Sequence, residues 1–229
     1  MNFFAVIPVK YISERVKSKN FRNFYNNKSL LDILLDKLIK IKSISKIYIS
    51  TDNESLKLNN KYTKNRIEII KRDKKYCNNK TPWSDVIHNV VSNIPINNND
   101  NLMWCHTTTP LFDDYEIALR QYKKNTKYNG LVAVSKVNEF LISENKIPLN
   151  YTWGNWHKYS QDMPNTYAVS GALFISKKRE FLRNRYVIST KPDFYIASSF
   201  SSLDIDNSYD FELAKFLYKN KKKFFKNKN

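Results

Sequence analysis

The sequence predicts an α/β fold in which a mainly parallel β-sheet is flanked by helices. Two observations carry this prediction. Short, continuously apolar runs alternate with segments whose apolar residues recur at helical spacing, and strands that are apolar throughout are typical of parallel sheets covered on both faces. The chain has 229 residues, 41% of them hydrophobic and 26% charged, enough for one sizeable core. We expect a single domain over residues 1–229.

The elements follow from local patterns in chain order. Strands are predicted where apolar runs of strand length occur, at residues 3–9, 46–50, 66–70, 102–105 and 130–137. Helices between them are predicted to begin at residues that favour a helix N-terminus: Ser29, a position near Asn53, Thr81 as N-cap with Pro82 as first helical residue, and Asp113 or Asp114. The alternation of strand and helix predicts parallel strands joined by helical crossovers.

After Val137 the alternation breaks. Residues 138–170 are rich in Asn, Pro, Tyr and Trp with weak periodicity, and we interpret them as an excursion from the sheet. Strands are then expected at 172–176 and 195–197, a helix at 210–218, and a basic tail at 219–229. We find no internal repeat and no linker that would divide the chain.

The charge of the chain is strongly positive. The 39 Lys and Arg residues against 21 Asp and Glu give a formal net charge of +18, which in itself suggests a polyanionic partner. However, 31 of the 39 are Lys and only 8 are Arg, alongside 29 Asn. AT-rich codons encode both Lys and Asn, and proteins that read nucleic acid favour Arg. We therefore favour compositional bias over a nucleic-acid partner, and leave polyanion binding as the alternative.

Other features exclude several classes of protein. No segment approaches the roughly 18 apolar residues of a membrane helix, and the N-terminus lacks the basic region of a signal peptide. Two cysteines cannot supply a metal cluster or a disulfide framework and fit a reducing compartment, so we expect a cytoplasmic protein without a membrane partner. The only three glycines, Gly130, Gly154 and Gly171, exclude a GxGxxG or P-loop motif.

Polar side chains collect where the predicted strands end. In open α/β sheets, ligands bind beyond the carboxyl ends of the strands. The residues there are rich in cations and hydroxyls, as a phosphorylated ligand requires: Lys10, Ser13, Arg15, Lys17, Lys19 and Asn20 after the first strand, Ser50, Thr51 and Asp52 after the second, Arg72 after the third, and His106, Thr107, Thr108 and Thr109 after the fourth.

Asp204 and Asp206 form a pair of carboxylates near the C-terminus. In an extended segment residues i and i+2 point to one face, so both would lie on the side opposite Leu203 and Ile205. Two carboxylates with phosphate oxygens and waters are typical ligands of Mg²⁺. The alternative is a solvated turn that caps the helix beginning at Asp210.

These motifs together resemble the acylneuraminate cytidylyltransferases, the CMP-sialic acid synthetase family. The resemblance extends from about Phe3 to Leu217 and is carried by segments in matching order and spacing: Ala5-Val6-Ile7-Pro8-Val9-Lys10, Ser13-Glu14-Arg15-Val16 and Lys19-Asn20, Ser50-Thr51-Asp52, Arg72, His106-Thr107-Thr108-Thr109-Pro110-Leu111, Gly171-Ala172-Leu173-Phe174-Ile175, and Leu203-Asp204-Ile205-Asp206 with Asp210.

The resemblance implies a Rossmann-like sheet of the nucleotide-diphospho-sugar transferase type and a specific reaction. The family transfers CMP from CTP to the anomeric hydroxyl of a sialic-acid-like 2-keto sugar acid and releases pyrophosphate, with Mg²⁺ as cofactor. It also implies a homodimer formed through the segment at 138–170.

The family pattern assigns a role to each matching residue. Lys19 would bind the triphosphate with help from four neighbours, Lys10, Ser13, Arg15 and Asn20. Asp204 and Asp206 would hold Mg²⁺. Arg72 and either Thr81 or Ser84 would contact the nucleotide. His106 and Thr108 would border the sugar-acid pocket, together with Gly171.

This chain departs from the family pattern at four points, one of which is the absence of a Gly near Ile12 or Arg15. Lys10 stands where the family has Arg, His106 where it has Gln, and Ser170 where it has the Asn that precedes Gly171. A Kdo-type or other sugar-acid nucleotidyltransferase, and a catalytically inactive nucleotide- or polyanion-binding homologue, are therefore the alternatives to a sialic-acid enzyme.

Overall fold

A computed structural model describes residues 2–13, 15–63 and 66–225, and within them forms one seven-stranded sheet with helices on both faces. The strands are β1 (Phe3–Pro8), β2 (Ile44–Thr51), β3 (Ile67–Lys71), β4 (Asn101–Cys105), β5 (Gly130–Val137), β6 (Thr166–Lys177) and β7 (Pro192–Ala197). The α-helices are α1 (Leu30–Leu38), α2 (Asn60–Thr63), α3 (Trp83–Ser92), α4 (Tyr115–Lys124), α5 (Lys178–Asn184), α6 (Ser208–Lys219) and α7 (Lys221–Phe225).

The sheet is mainly parallel, as predicted. Its order is β3-β2-β1-β4-β6-β5-β7, and β1 pairs in parallel with both β2 and β4, as β2 does with β3 and β5 with β7. Only β6 runs against its neighbours, β4 and β5. The carboxyl ends of β1 to β4 therefore lie side by side at one edge of the sheet.

The core lies on both faces of this sheet. Phe3, Ala5 and Ile7 of β1 face the layer formed by α1 and α4, whereas Val6 faces the opposite layer, formed by α3 and α5. This alternation follows from the two-residue period of a strand. A third cluster joins the loop after β1 to α1 and α6, with Phe24 and Phe211 in edge-to-face contact at 5.3 Å between ring centroids.

The predicted helix after Ser29 is confirmed. Ser29 is the N-cap of α1, its hydroxyl accepts from the Asp32 amide, and the Asp32 carboxylate accepts in return from the Ser29 amide. This reciprocal pair satisfies two backbone donors that would otherwise lack a partner at the helix end.

Two other helix starts were predicted wrongly. No helix begins near Asn53, because its side chain accepts from the amide and hydroxyl of Ser55 and stabilises a turn; the next helix, α2, begins at Asn60. Thr81 is not an N-cap either. Its hydroxyl donates to the Lys75 carbonyl, and α3 starts one residue later than expected, with Pro82 in the N-cap position.

The remaining boundaries differ by a few residues. Asp114 occupies the N-cap of α4 but makes no capping bond through its side chain. The proposed excursion at 138–170 is shorter than predicted, because residues 166–170 already belong to β6. The start of the basic tail forms the end of α6 and α7, and residues 226–229 lie outside the described part of the chain. None of the helices in the described residues has the length and hydropathy needed to span a bilayer.

Asp36 of α1 generates a test of the fold. Although burial alone would raise its pKa, hydrogen bonds from Lys28, Lys61 and Tyr62, each at 2.8 Å, lower the pKa of Asp36 to about 2. The charged form thus stabilises the fold fully above pH 3.8, and this contribution is lost as the pH falls towards 2.

Asp36→Asn should therefore lower the free energy of unfolding by about 1–2 kcal/mol at pH 7, after allowance for partial solvent screening. Urea unfolding of both proteins at pH 7 and at pH 3 checks this. The difference should shrink at pH 3; an equal difference at both values would show that the negative charge is not the source of the stability.

Candidate active site

A cavity of about 700 Å³ opens at the carboxyl ends of β1 to β4. It contains side chains from four separate loops, which the parallel strands bring to one edge. Among the predicted residues, those that line it are Lys10, Ser13, Arg15, Lys19, Asn20, Arg72, Thr81, His106, Thr107, Thr108, Asp204 and Asp206. The sheet topology thus brings together residues that are up to almost 200 positions apart in sequence.

Lys19 is a nearly buried cation of this cavity. Its side chain is only 8% exposed, and its ammonium donates to the carbonyl of Ile205, between the two aspartates. Burial lowers the pKa of Lys19, and the nearby Asp204 carboxylate opposes that effect. An ammonium held beside two carboxylates in a partly dehydrated site interacts strongly with any phosphate that enters.

Asn20 ties the loop after β1 to the loop after β4. Its amide nitrogen donates to the Lys10 carbonyl at 3.3 Å, and its oxygen accepts from the Thr107 hydroxyl at 2.7 Å. Since Asn20 is itself buried, these bonds fix the direction in which Lys10 and Lys19 leave the backbone.

The two aspartates have different surroundings. Asp206 is exposed and forms an ion pair with Arg15 at 2.8 Å. Asp204 is half-buried, and its Oδ1 is a buried atom without a hydrogen-bond partner among the described residues. A buried carboxylate oxygen without a donor is costly unless a ligand satisfies it. Asp204 therefore has the chemistry of a cation ligand.

A simple capping role does not account for this pair. Asn207 is the N-cap of α6 and accepts from the Asp210 amide, while the Asp210 carboxylate accepts from the amides of Asp206 and Asn207. The helix end is therefore capped without either Asp204 or Asp206 side chain. The Ile205 amide donates to the Thr108 carbonyl at 2.9 Å, which holds the pair at the end of β4.

The buried Trp104 side chain sets the tautomer of His106. The indole Nε1–H of Trp104 donates to His106 Nε2 at 2.7 Å. Because an indole nitrogen can only donate, Nε2 must accept, and the neutral ring carries its proton on Nδ1. Burial lowers the pKa of His106, against the opposing effect of Asp204, so the ring is neutral at physiological pH.

Gly171 lies behind this wall of the cavity and does not line it. A Cβ at this position would lie 2.9 Å from Asp204 Oδ2 and 3.3 Å from His106 Nδ1. The glycine thus leaves room for the carboxylate and the imidazole to approach each other.

The loop after β3 closes the other side of the cavity. The amide of Arg72 donates to the Thr51 carbonyl at 2.7 Å, and its Nε donates to Cys77 Sγ at 3.0 Å. The side chain is 6% exposed, and no ion pair joins it to a carboxylate in the part of the chain that is described. Such a nearly buried cation favours an anionic ligand.

Ser84, the alternative to Thr81, does not reach the cavity. Helical residues three apart share a face, and in α3 the face toward the cavity is that of Trp83 and Val86. Thr81 itself lines the cavity from the preceding loop.

Sequence reasoning missed several residues of the cavity wall. All follow β3, and the signal that could have found them is their position just beyond Arg72 at a strand end: Tyr76, Cys77, Asn78, Asn79, Lys80 and Trp83. Of these, Asn79 accepts from the Lys10 ammonium at 2.7 Å, which joins the loops after β1 and β3 across the opening.

The charge balance of the cavity favours a polyanion. Five cationic side chains line it against two carboxylates, the cations being Lys10, Arg15, Lys19, Arg72 and Lys80. A cleft of this kind raises the local concentration of anions, and its lysine and arginine donors suit phosphate oxygens.

Solved structures of two enzymes share this fold. A CMP:2-keto-3-deoxy-manno-octonic acid synthetase solved in complex with CTP superposes with a TM-score of 0.65 at 11% identity, covering 96% of this chain and 100% of that one. The 2-C-methyl-D-erythritol 4-phosphate cytidylyltransferase of Francisella tularensis also gives 0.65, at 17% identity, covering 94% and 99%. At these identities the likeness shows the shared fold.

The chain belongs to the cytidylyltransferase family, whose sequence profile matches residues 4–228. An N-acylneuraminate cytidylyltransferase of Escherichia coli O18:K1:H7 is 24% identical over 217 residues, covering 92% of this chain and 50% of the relative. The chain spans about half the length of the curated relatives it matches.

The pairing of Trp104 with His106 yields a prediction that needs no substrate. In Trp104→Phe the indole donor is lost while an aromatic ring remains, so Nε2 becomes free to bind a proton and the pKa of His106 should rise towards its usual value. Nitrogen NMR of the three histidines measures both tautomer and pKa, with the exposed His88 and His157 as internal references. A proton on Nε2 of the wild-type ring would contradict the assignment.

Proposed function

We propose that this protein transfers CMP from CTP to the anomeric hydroxyl of a sialic-acid-like 2-keto sugar acid and releases pyrophosphate. The observation that carries the proposal is the buried Lys19 ammonium beside Asp204, in a cavity rich in cations. The Oδ1 atom of Asp204 has no hydrogen-bond partner within the described parts of the chain. Family membership and the name of the Escherichia coli relative support the choice of nucleotide and acceptor.

The reaction requires positioning and neutralisation of charge rather than a covalent intermediate. The anomeric oxygen attacks the α-phosphorus of CTP in line and forms the new P–O bond. The bond from that phosphorus to the bridging oxygen of the β-phosphate breaks, pyrophosphate leaves with that oxygen, and the hydroxyl proton is released. Negative charge grows on the pyrophosphate, so fixed cations around it lower the barrier.

The cations of the loop after β1 fit the triphosphate. Lys19, which is nearly buried, would contact the phosphates nearest the reacting centre, with Lys10 and Arg15 further out and Ser13 and Asn20 as neutral donors. The Arg15 guanidinium already forms an ion pair with Asp206 at 2.8 Å. It therefore lies where it could contact both the triphosphate and the two aspartates.

Arg72 and Thr81 suit the nucleoside end of CTP. Both line the cavity from the loop after β3. His106 and Thr108 follow β4 and would border the sugar acid, with Gly171 as the spacer behind them. A neutral His106 suits this place, because an imidazolium would compete with cations for Asp204.

The acidic pair fits Mg²⁺ as cofactor. Asp204 offers a buried oxygen without a donor, whereas no group of three or more potential ligand residues is assembled among the described residues. A cation there would therefore share its coordination with phosphate oxygens and water, the arrangement typical of Mg²⁺. When bound, Mg²⁺ would offset phosphate charge and polarise the attacking hydroxyl.

An exposed aromatic segment supports a homodimer formed through residues 138–170. Trp156 and Tyr159 are 80% and 76% exposed, and six other apolar side chains of the segment are also exposed: Phe140, Ile142, Ile147, Leu149, Trp153 and Val169. Exposed aromatic patches of this kind favour protein contacts. Sedimentation velocity measures the association state.

We place the enzyme in the cytoplasm, where a reducing environment keeps Cys77 and Cys105 as free thiols.

Release of pyrophosphate tests the function directly. We expect release only with Mg²⁺, CTP and a sialic-type sugar acid together, and none when ATP, GTP or UTP replaces CTP. The panel includes Kdo and 2-C-methyl-D-erythritol 4-phosphate, the acceptors named for the structural neighbours. Release with only one of these would reassign the acceptor. CTP binding without any release would favour a non-catalytic homologue, and absence of CTP binding would contradict the nucleotide assignment.

A matched pair of variants tests the metal role of Asp204. Asp204→Asn keeps the shape but removes the charge, and should lower kcat about 10²-fold or more and raise the Mg²⁺ concentration for half-maximal release. The control is Glu116→Gln on the exposed surface of α4, where a pair with Arg120 at 3.9 Å contributes little.

Comparable activity of both variants at every Mg²⁺ concentration would show that Asp204 is not a metal ligand. A loss in both would point to a general effect on the protein instead.

A further inference from the structure

The thiol of Cys77 lies between a cation of the cavity and a carboxylate. Arg72 is the first residue after β3, and a 3₁₀ turn at Lys74–Tyr76 returns the chain toward it. The Asp73 side chain accepts from the Lys75 amide, and the Cys77 amide donates to the Lys74 carbonyl, both at 2.9 Å. This local geometry places Sγ 3.0 Å from Arg72 Nε.

The other side of the thiol faces Asp52, at the end of β2. Burial raises the pKa of Cys77; the Asp52 carboxylate raises it further, while Arg72 opposes the shift. The thiol is therefore protonated at neutral pH. It can donate its proton toward Asp52 and accept from Arg72 with a lone pair.

Asp52 extends this chain of contacts to the loop after β1. Its Oδ1 accepts from the Tyr11 amide at 2.7 Å. The bond from Tyr11 to Asp52 joins the loops after β1 and β2, and the bond from Arg72 to Cys77 holds the loop after β3 together. Hydrogen-bonded networks of this kind hold side chains in one arrangement when they are partly buried.

We propose that Cys77 is a positioning residue that fixes the plane of the Arg72 guanidinium toward the nucleotide, an inference that rests on the proposed binding of CTP. A guanidinium is planar, so a bond at Nε sets the directions of both Nη groups. Arg72 is nearly buried, and the thiol supplies the only side-chain acceptor that the described residues place on its Nε. The other cysteine, Cys105, is fully buried in β4 and has no such role.

Three variants and one background test this role. Cys77→Ala removes the acceptor, and Cys77→Ser keeps a smaller one. We expect Cys77→Ala to raise the Kd and KM for CTP about tenfold with kcat changed less than about threefold, and Cys77→Ser to stay within about threefold of wild type. Thermal unfolding of each variant shows whether it is folded. Cys105→Ala is the matched control, because it removes a cysteine that does not contact Arg72.

Arg72→Lys supplies the background that separates positioning from packing. Lysine keeps the charge but lacks Nε and the planar fork. If Cys77 acts through Arg72, the effect of Cys77→Ala on CTP binding should disappear in Arg72→Lys, so that the two changes are strongly non-additive.

Each outcome discriminates. Unchanged CTP binding in Cys77→Ala, equal losses in Cys77→Ala and Cys77→Ser, or additive effects with Arg72→Lys would overturn the positioning role while CTP binding by the wild type still stands. Failure of the wild-type protein to bind CTP would instead remove the proposed function on which the role depends.

Discussion

The arrangement of the cavity depends on one buried ammonium. Lys19 leaves the loop after β1 and donates to the carbonyl of Ile205, which belongs to the last loop before α6. That bond joins two segments distant in sequence, and the bond from the Ile205 amide to the Thr108 carbonyl adds a third. Because the ammonium is buried, it is held by these contacts rather than by solvent, and the two aspartates on either side of Ile205 are oriented with it.

The sheet makes this contact possible. Parallel strands end at the same edge, so the loops after β1, β2, β3 and β4 need no further element to meet. The apolar clusters on both faces hold the strands, while the smaller cluster around Phe24 and Phe211 holds the loop after β1 against α6. The apolar clusters therefore position the polar side chains at the carboxyl ends of the strands, and these polar side chains contribute little to the core.

Much of this could be predicted from the sequence, and the exceptions have physical causes. Strands and most helices follow from hydrophobic periodicity, and the convergence of polar residues follows from strand direction alone. Strand order is set by long-range packing, so nothing local indicated that β6 would lie between β4 and β5. The predicted start of α3 was wrong because the Thr81 hydroxyl donates to the Lys75 carbonyl in the preceding loop instead of capping the helix. Helix propensity alone does not indicate which of these two contacts the hydroxyl will make. Trp104 was read only as a strand residue, since its bond to His106 depends on two rotamers.

Strand β6, which runs against its neighbours, separates β1 to β4 from β5 and β7. Antiparallel neighbours can be joined by a very short turn, yet β5 and β6 are joined by the long aromatic segment between Val137 and Thr166. That segment is not needed to close the sheet, and many of its apolar side chains are exposed. The cation-rich edge is carried by the loops that follow other strands of the sheet. The exposed aromatic segment and the cation-rich edge therefore belong to separate parts of one sheet.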